Sequence, residues 1–406
     1  MGGAANSHER VAGTISDVLF VDRRSTAAFF AAAGAILSAC HHQHAARLPE
    51  AGASSAAVVA TSDIPPTAVF PLLRGARFGG VSSLAYDEAR DELFGLSDDP
   101  QNSRVFRLRA FEDPFRVEPI GFIPLEHAAA GPSRLRPEGL AVLPSGHLLI
   151  ASPGAIEAQQ RVPPGIFEYT RKGRFVRRLP VPPEFLAPIL ESAPRDDVHR
   201  QGFVALALTP DHRTLWTAVG TSLAQDGPAA TVEHGARVRL LVYRVEKTGE
   251  FVPDREFAYE VDPVPQTPVR EARVAISWLV DLLALGDRDF IAVERAYVED
   301  AENAHGHINR IRLYRMTIDG TVIEPGQASI AGTSGIAPVS KSLLLDLGAT
   351  PNLPQDLFGL EDFEGLVAMP SRIKGRAFAI LASDDDFEAP RRTWFLKLGF
   401  GPVPIP

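Results

Sequence analysis

The chain has 406 residues, of which 45% are hydrophobic, so it is long enough to bury a large core. Its formal net charge of −9 leaves no basic field for a nucleic acid backbone, and we expect no nucleic acid partner. The single cysteine excludes both a disulfide framework and a zinc ribbon. The 33 glycines and 34 prolines favour many turns and short strands over long helices.

The first 40 residues have the parts of a secretory signal. Arg23 and Arg24 precede the apolar stretch 27–37, and Leu-Ser-Ala leads into Cys40. The stretch is too short and too rich in alanine for a stable membrane span. Leu-Ser-Ala-Cys resembles the bacterial lipobox, in which the cysteine is lipidated; the alternative is a buried thiol on an apolar helix. We therefore predict a lipoprotein-type signal at 1–40, lipidation of Cys40, and export to the periplasmic face of a bacterial membrane.

Residues 41–66 are predicted to be a flexible tether. His41, His42 and His44 open the segment, and an Ala/Ser/Pro-rich run continues to Pro66. Such a composition is typical of a linker with no core of its own. Metal binding by the three histidines is the alternative interpretation.

From residue 67 to residue 401, apolar hairpins alternate with more polar ones. Each consists of two short strand-like segments around a turn containing Asp, Pro or Gly. The apolar hairpins pair 83–86 with 93–96, 139–142 with 147–150, 206–208 with 214–217, 279–285 with 290–293, and 366–368 with 377–380. The polar hairpins pair 104–108 with 118–122, 166–169 with 175–179, 239–245 with 257–261, and 311–316 with 321–324.

This alternation predicts an all-β fold, a β-propeller of four-stranded antiparallel blades around a central channel. Inner strands are buried on both faces and lose the period of two, whereas outer strands keep it. Five inner hairpins are visible, and a sixth blade is expected around 341–347, closed by an N-terminal strand at 69–73. We therefore favour six blades. A large β-sandwich is the competing architecture, but it does not explain the recurrence of the same dipeptides in each unit.

Acidic residues recur at the ends of the apolar strands. If these strands line a channel, their ends meet at one mouth, where packed carboxylates repel one another unless a cation neutralises them. Oxygen ligands of this kind suit calcium, with magnesium the second choice. Turn capping is the alternative role of each residue. The predicted metal ligands are Asp98, Glu138, Glu294, Glu364 and Asp384.

Several of these segments, in this order, resemble the phytase-like family, also described as "esterase-like activity of phytase". The resemblance covers nearly all of residues 70–400. It implies a β-propeller secreted by bacteria and a hydrolase of phosphate or carboxylic esters. The matching segments are 79–87, Leu-Ser-Asp-Asp at 96–99, Arg-Pro-Glu-Gly-Leu-Ala at 136–141, Val-Glu-Arg at 293–295, Lys341 with 344–347, Phe-Glu-Gly-Leu at 363–366, and Ser-Asp-Asp-Asp-Phe at 383–387.

The chain departs from the family pattern at two places. A further Glu-Gly-Leu is usual in the middle of the family, but here Val204 and Ala205 replace the glutamate and glycine. Three aspartates stand at 384–386 where amides are more usual. The chain is therefore expected either to bind its ion differently or to have lost catalysis.

Two cations are candidate substrate-binding residues. Arg295 follows Glu294 directly, and Lys341 matches a lysine of the family pattern. Arginine offers a fork of donors to phosphate and lysine a point charge. Ion pairs with the neighbouring carboxylates are the equal alternative.

No Gly-x-Ser-x-Gly elbow, His-Glu-x-x-His, Walker loop or dinucleotide fingerprint is present. If the protein is a hydrolase, the mechanism that is left is metal-assisted attack by water, with Glu138 and Glu364 as candidate catalytic residues. We predict a monomer acting on a small anionic or ester substrate and contacting a membrane through Cys40. The alternatives are a non-catalytic, lipid-anchored propeller that binds a ligand or protein, and a sugar-lactone hydrolase.

Overall fold

A computed structural model describes residues 55–99, 101–126, 135–157, 160–186, 200–265, 274–299, 307–332, 335–354, 357, 361–373 and 376–401. The chain separates into Met1–His44 and Ala45–Pro406, and only the second unit contains described residues. The predicted signal segment and Cys40 therefore lie outside the described residues. None of the helices in the described ranges is long and apolar enough to cross a membrane.

The described residues form 22 strands and three short 3-10 helices, the latter at Pro71–Leu73, Pro183–Leu186 and Leu347–Ala349. In chain order the strands are β1 (Ala56–Ile64), β2 (Val81–Asp87), β3 (Glu92–Ser97), β4 (Arg104–Glu112), β5 (Phe115–Pro124), β6 (Gly139–Val142), β7 (Leu148–Ser152), β8 (Ala155–Glu157), β9 (Gln160–Val162), β10 (Gly165–Tyr169), β11 (Phe175–Arg178), β12 (Phe203–Leu208), β13 (Thr214–Val219), β14 (Ala236–Val245), β15 (Phe251–Val261), β16 (Ala275–Ala284), β17 (Asp289–Glu299), β18 (His307–Thr317), β19 (Ser340–Asp346), β20 (Asp362–Pro370), β21 (Ala377–Asp384) and β22 (Thr393–Phe400).

Twenty of these strands form five antiparallel sheets of four, which are the blades of a propeller. From the innermost strand outward, blade 1 is β2-β3-β4-β5, blade 2 is β6-β7-β10-β11, blade 3 is β12-β13-β14-β15, blade 4 is β16-β17-β18-β19, and blade 5 is β20-β21-β22-β1. The innermost strands contact one another in the closed order β2, β6, β12, β16, β20 and back to β2. The predicted four-stranded propeller is confirmed.

The prediction of six blades is wrong. The segment expected to start a sixth blade lies in β19, which pairs with β18 as the outermost strand of blade 4. The 22 residues that separate β18 from β19 make the two strands look, in the sequence, as if they belonged to different blades. Residues 321–324 were expected to pair with 311–316, but Ile323 instead makes an isolated bridge to Glu256 in blade 3.

The ring is closed by a strand from each end of the chain. β1 pairs antiparallel with β22 from Ala56 opposite Phe400 to Ile64 opposite Thr393. Part of the predicted tether is therefore a strand, and the propeller begins before residue 67. The segment expected to close the ring, 69–73, contains a 3-10 helix instead. Pairing removes an open sheet edge on β22, a stabilisation that the Ala-rich composition of β1 does not reveal.

Large apolar side chains fill the spaces between blades. Trp216 of blade 3 is buried, with its ring 5.6 Å from the ring of Phe257 and 4.8 Å from that of Phe290 in blade 4. Each such side chain stabilises the fold by roughly 1.5–3 kcal/mol. The inner strands are buried on both faces, as all five residues of β7 show, which explains their loss of a period of two.

Candidate functional site at the channel mouth

Each innermost strand has one residue near its start that is skipped in the pairing with the second strand, or that directly precedes this pairing. In blades 1, 3, 4 and 5 the register with the second strand shifts by one residue at this position. In blade 2 the backbone N–H of the equivalent residue donates to Ala151 O, next to the Gly139 pair. A bulge re-aims a side chain, so the five blades present one side chain each at the same level. These residues are Ser82, Glu138, Val204, Val280 and Glu364.

The Gly that follows each glutamate is required by the close approach of the next blade. A Cβ on Gly139 would lie 2.9 Å from the backbone of Ala205, and one on Gly365 would lie 3.0 Å from the backbone of Ser83. These separations are shorter than a normal carbon–carbon contact. The repeated Glu-Gly-Leu therefore combines a bulged acidic residue with a site of inter-blade contact.

The two glutamates interact across the channel. Glu138 belongs to blade 2 and Glu364 to blade 5, which are not adjacent in the ring, yet Glu364 is the charge that most raises the pKa of Glu138. The two bulge positions therefore bring their carboxyl groups close enough to repel each other. The sequence predicted this convergence from strand ends alone.

Three aspartates complete an acidic cluster at this mouth. One carboxylate oxygen from each of Asp98, Asp384 and Asp386 lies within 4.8 Å of the other two. Asp384 Oδ1 accepts a hydrogen bond of 2.7 Å from the backbone N–H of Asp386. The buried Oδ1 of Asp98 has no hydrogen-bond partner among the described residues. We call Asp98, Glu138, Glu364, Asp384 and Asp386 the mouth cluster.

Burial and mutual repulsion raise the pKa values of the mouth cluster. Burial, with the charge of Glu138, raises the pKa of Asp98 to about 8. Burial likewise raises the pKa values of Glu138 and Glu364 to about 8, in the latter case despite the nearby guanidinium of Arg295. The pKa of Asp384 is also raised well above its ordinary value by burial and by Asp98. At neutral pH the cluster must therefore retain protons or bind a cation.

Arg295 faces the mouth but its donors are engaged. Its NH1 lies 2.7 Å from Glu364 Oε1, its NH2 2.6 Å from Asp362 Oδ1, and its Nε donates to Asn309 Oδ1 at 3.1 Å. The guanidinium also lies 4.9 Å from the ring of Trp278. This is the ion-pair arrangement that the sequence left open as the alternative to substrate binding. Arg295 positions Glu364.

The structure places Glu294 and Lys341 away from the mouth cluster. Successive side chains of a strand point to opposite faces, so Glu294 of β17 faces away from its neighbour Arg295. Glu294 accepts hydrogen bonds from Tyr259 OH at 2.7 Å and from Asp262 N at 3.1 Å. Lys341 Nζ lies 2.5 Å from Glu294 Oε1 and 2.8 Å from Asp262 Oδ1. These four residues join blades 3 and 4, and we call them the inter-blade cluster.

Sequence reasoning missed two further residues near the mouth. Asp362 pairs with Asp384 across β20 and β21, and Arg391 NH1 lies 3.6 Å from Asp362 Oδ2 and also contacts Asp386. Asp362 precedes Glu364 by two residues, and two acids so close in a buried strand were the available signal. Arg391 lies in the turn before β22, where the sequence carried no signal.

Three solved structures are similar to this chain at low identity. A gluconolactonase from Xanthomonas campestris, XC5397, has 14% identity, covers 88% of this chain and 100% of its own, and gives a TM-score of 0.31. TolB from Acinetobacter baumannii has 12% identity, covers 80% of this chain and 55% of its own, and gives 0.26. Hydrazine synthase from Kuenenia stuttgartiensis has 12% identity, covers 77% of this chain and 80% of its own, and gives a TM-score of 0.29.

No curated protein is significantly similar in sequence to this chain. The model of the phytase-like family, described as "esterase-like activity of phytase", matches residues 76–387. That range includes every residue of the mouth cluster and four complete blades. The chain belongs to the phytase-like family.

Proposed function

We propose that the chain hydrolyses a phosphate or carboxylic ester at the mouth cluster, with a calcium ion as cofactor. The observation that carries this proposal is the group of three aspartates whose oxygens lie within 4.8 Å of one another, one of them buried without a partner. Family membership supports a hydrolase in general terms.

The donor set fits a hard divalent cation. Calcium binds oxygen at about 2.3–2.6 Å, so two opposing ligands of one ion are roughly 5 Å apart. The separations among Asp98, Asp384 and Asp386 lie within that limit. Neither Asp98 nor Asp384 forms an ion pair with another described residue, so a cation would supply their missing charge. Magnesium is the second choice because its shorter bonds bring opposing ligands to roughly 4 Å.

A bound divalent ion would polarise the ester oxygen and lower the pKa of water. In this proposal Glu138, which is not one of the three aspartates, accepts the proton from the attacking water. The water oxygen adds to the acyl or phosphoryl centre, the ester bond breaks, and the leaving oxygen takes a proton. In this proposal Glu364, which contacts Arg295, delivers that proton.

A second candidate function is ligand binding without turnover. Only two of the five equivalent bulge positions carry an acid, since Val204, Val280 and Ser82 occupy the others. The valine at 204 stands where the family pattern has a third glutamate. A propeller that kept the ion site and lost the general base would bind the same anions and release them unchanged.

The test combines metal binding with hydrolysis. Thermal melting is measured during calcium titration, and p-nitrophenyl phosphate, p-nitrophenyl acetate and a lactone are offered as substrates. We expect a calcium-dependent rise in Tm of the unaltered protein and hydrolysis of at least one ester. Glu138→Gln should keep the rise in Tm and lose at least 100-fold in kcat, as expected for loss of a general base. Glu118→Gln, on the exposed outer strand of blade 1, is the matched control.

The outcomes separate the candidates. A calcium-dependent rise in Tm with no hydrolysis of any ester supports the ligand-binding propeller and contradicts the hydrolase. No rise in Tm with calcium or magnesium contradicts the metal site. A rise that survives Asp98→Asn and Asp384→Asn places the ion elsewhere.

We also propose export and anchoring through Cys40. The support is the order of basic, apolar and small residues that ends in Leu-Ser-Ala-Cys. Expression in a bacterial host with an alkyne-labelled fatty acid should label the chain, and Cys40→Ser should remove the label. Labelling that persists in Cys40→Ser would contradict the proposal.

A further inference from the structure

The two arginines that contact acids at the mouth do not explain how an anionic substrate would be held. Arg295 contacts Glu364, Asp362 and Asn309, and Arg391 contacts Asp362 and Asp386. A guanidinium whose donors already bind carboxylates cannot offer a fork to a further anion. An ester with an acidic group therefore needs another receptor beside the acidic mouth.

A cavity of about 630 Å³ opens on blade 1. This volume is in the range of small-molecule sites, roughly 300–1,000 Å³. One wall is apolar, formed by Phe122, Pro124, Leu125 and Phe387, and Arg77 and Arg104 also line it.

Arg77 is the cation that this cavity exposes. Its NH1 donates to Phe387 O at 2.6 Å and its NH2 lies 3.8 Å from Asp385 Oδ2, while 39% of its side chain is exposed and Nε makes no hydrogen bond to a described residue. Arg104 is buried and engaged, since its NH1 donates to Asp99 and to Asn102 O and its NH2 to Arg77 O. The one carboxylate of the lining, Asp99, is neutralised by Arg104 NH1 at 2.8 Å. The backbone N–H groups of Gln101 and Asn102 also donate to it.

Phe387 joins the cavity to the mouth cluster. Its ring lies 5.3 Å from the guanidinium of Arg77 and 5.5 Å from that of Arg104. A Cβ on Gly80 would clash with both the Phe387 ring and Asp98 Oδ1, so the cavity wall and Asp98 both contact this glycine. One small molecule can therefore reach from the cavity to the mouth cluster.

The backbone at this wall is held in an unusual conformation. Asp386 and Phe387 have positive φ angles of 47° and 55°, which are rare for a bulky residue. Asp385 Oδ1 stabilises the turn by accepting from Gly80 N at 2.7 Å and from Phe387 N at 3.2 Å. Strain of this kind concentrates at ligand sites.

We infer that this cavity binds the non-reacting part of the substrate, an organic anion whose carboxylate or phosphate group meets Arg77 and whose apolar part packs on Phe387 and Phe122. The inference rests on the proposed ester hydrolysis for the identity of the ligand as substrate. Its geometry is independent of any metal ion.

Binding without metal is tested by calorimetry with phenylphosphonate in buffer containing EDTA. We expect Arg77→Gln to weaken binding at least tenfold, about the effect of losing one charged hydrogen bond. Phe387→Ala should weaken it as well, and Arg77→Lys, which keeps the charge, should lose less than Arg77→Gln. Arg213→Gln, on an exposed turn of blade 3, is the matched control, and Tm verifies that each variant is folded.

Kinetics with calcium tests the same subsite during turnover. Mono-p-nitrophenyl succinate and p-nitrophenyl butyrate share a leaving group, but only the first carries an acidic group. Arg77→Gln should raise KM for the succinate ester about tenfold, with KM for the butyrate ester unchanged. Equal binding of phenylphosphonate by Arg77→Gln and the unaltered protein would overturn the inference. Selective loss of binding without hydrolysis of any ester would support the subsite and contradict only the hydrolase.

Discussion

The mouth cluster and the inter-blade cluster both contain buried carboxylic acids, but they differ in charge balance. Glu294 has Lys341, Tyr259 OH and a backbone N–H as partners. Asp98 has a buried oxygen with no partner, and it faces other carboxylates. The first arrangement stabilises the packing of two blades. The second is stable only with protons or a cation, so an acidic residue at a strand end indicates a binding site only when its charge is left unbalanced.

The sharpest way to break this comparison is to remove one acid from each cluster. Asp98→Asn should weaken calcium binding at least 100-fold because it removes a charged ligand. Glu294→Gln should leave calcium affinity within threefold of the original value. Calorimetric titration of the two variants measures the difference. Equal losses in both would show that the two clusters are not functionally distinct.

The inter-blade cluster should instead respond in stability. Lys341→Met removes the nearer cation of the fully buried Glu294 and leaves only Arg312, whose NH2 lies 3.9 Å from Oε2, so we expect a loss of about 3 kcal/mol in the free energy of unfolding. The double variant with Glu294→Gln should recover at least half of that loss, because the buried charge that lost its nearest partner is removed. Urea unfolding in EDTA measures both. A loss below about 1 kcal/mol for Lys341→Met would contradict a stabilising pair.

The mouth cluster should also make the stability of the protein depend on pH. Burial raises the pKa values of Asp98, Glu138 and Glu364 to about 8, so the metal-free folded state keeps protons that the unfolded chain loses near pH 4. The contribution of these protonated acids to the free energy of unfolding is therefore fully present below pH 4 and is lost as the pH rises to about 8. The slope should reach at least about 1.4 kcal/mol per pH unit.

Urea unfolding between pH 5 and pH 8.5 measures this slope in EDTA. Saturating calcium should remove or reverse it, since the ion binds the deprotonated acids. Asp98→Asn should reduce the slope in EDTA, whereas Glu118→Gln should not. Stability that rises with pH in EDTA would contradict the raised pKa values.

The smallest effect is expected from adding an acid to the ring. Val204 occupies the bulge position equivalent to Glu138 and Glu364. Val204→Glu should strengthen calcium binding by roughly threefold to tenfold and lower Tm in EDTA, because it adds a charge to an already unbalanced site. Val280→Glu, at the next equivalent position, is the matched comparison. A gain in affinity from Val280→Glu alone would show that the ion lies toward blade 4.

Most of the local structure could be predicted because a hairpin depends on adjacent residues. All five inner hairpins and three of the four outer hairpins formed as expected from their turns and apolar segments. The fourth outer hairpin and the blade count failed together. β18 pairs with β19 rather than with the segment around Ile323, and no local turn in the sequence indicates so distant a partner strand. The pairing of β1 with β22 joins residues more than 300 positions apart and was likewise hidden.

The mouth cluster itself was named from sequence in large part. Glu138, Glu364, Asp98 and Asp384 recur at strand ends, and the propeller brings such ends together. Glu294 also follows an apolar segment, but it lies one residue too early in β17, so its side chain points to the gap between blades and that of Arg295 points to the mouth. Side-chain direction after a bulge depends on pairing with the neighbouring strand, which composition and spacing do not encode.

By itself, the sequence determined the propeller class, the order of hairpins and the identity of the recurring acids, since turns and burial patterns are short-range properties. Only the tertiary structure decided the number of blades, the closing strand, and which acids share a mouth. It also decided how far each cation is available, since Arg295 is buried among three partners and Arg77 keeps 39% of its side chain exposed. Those properties depend on contacts between distant segments, where charge balance and register are set by neighbours that the chain order does not identify.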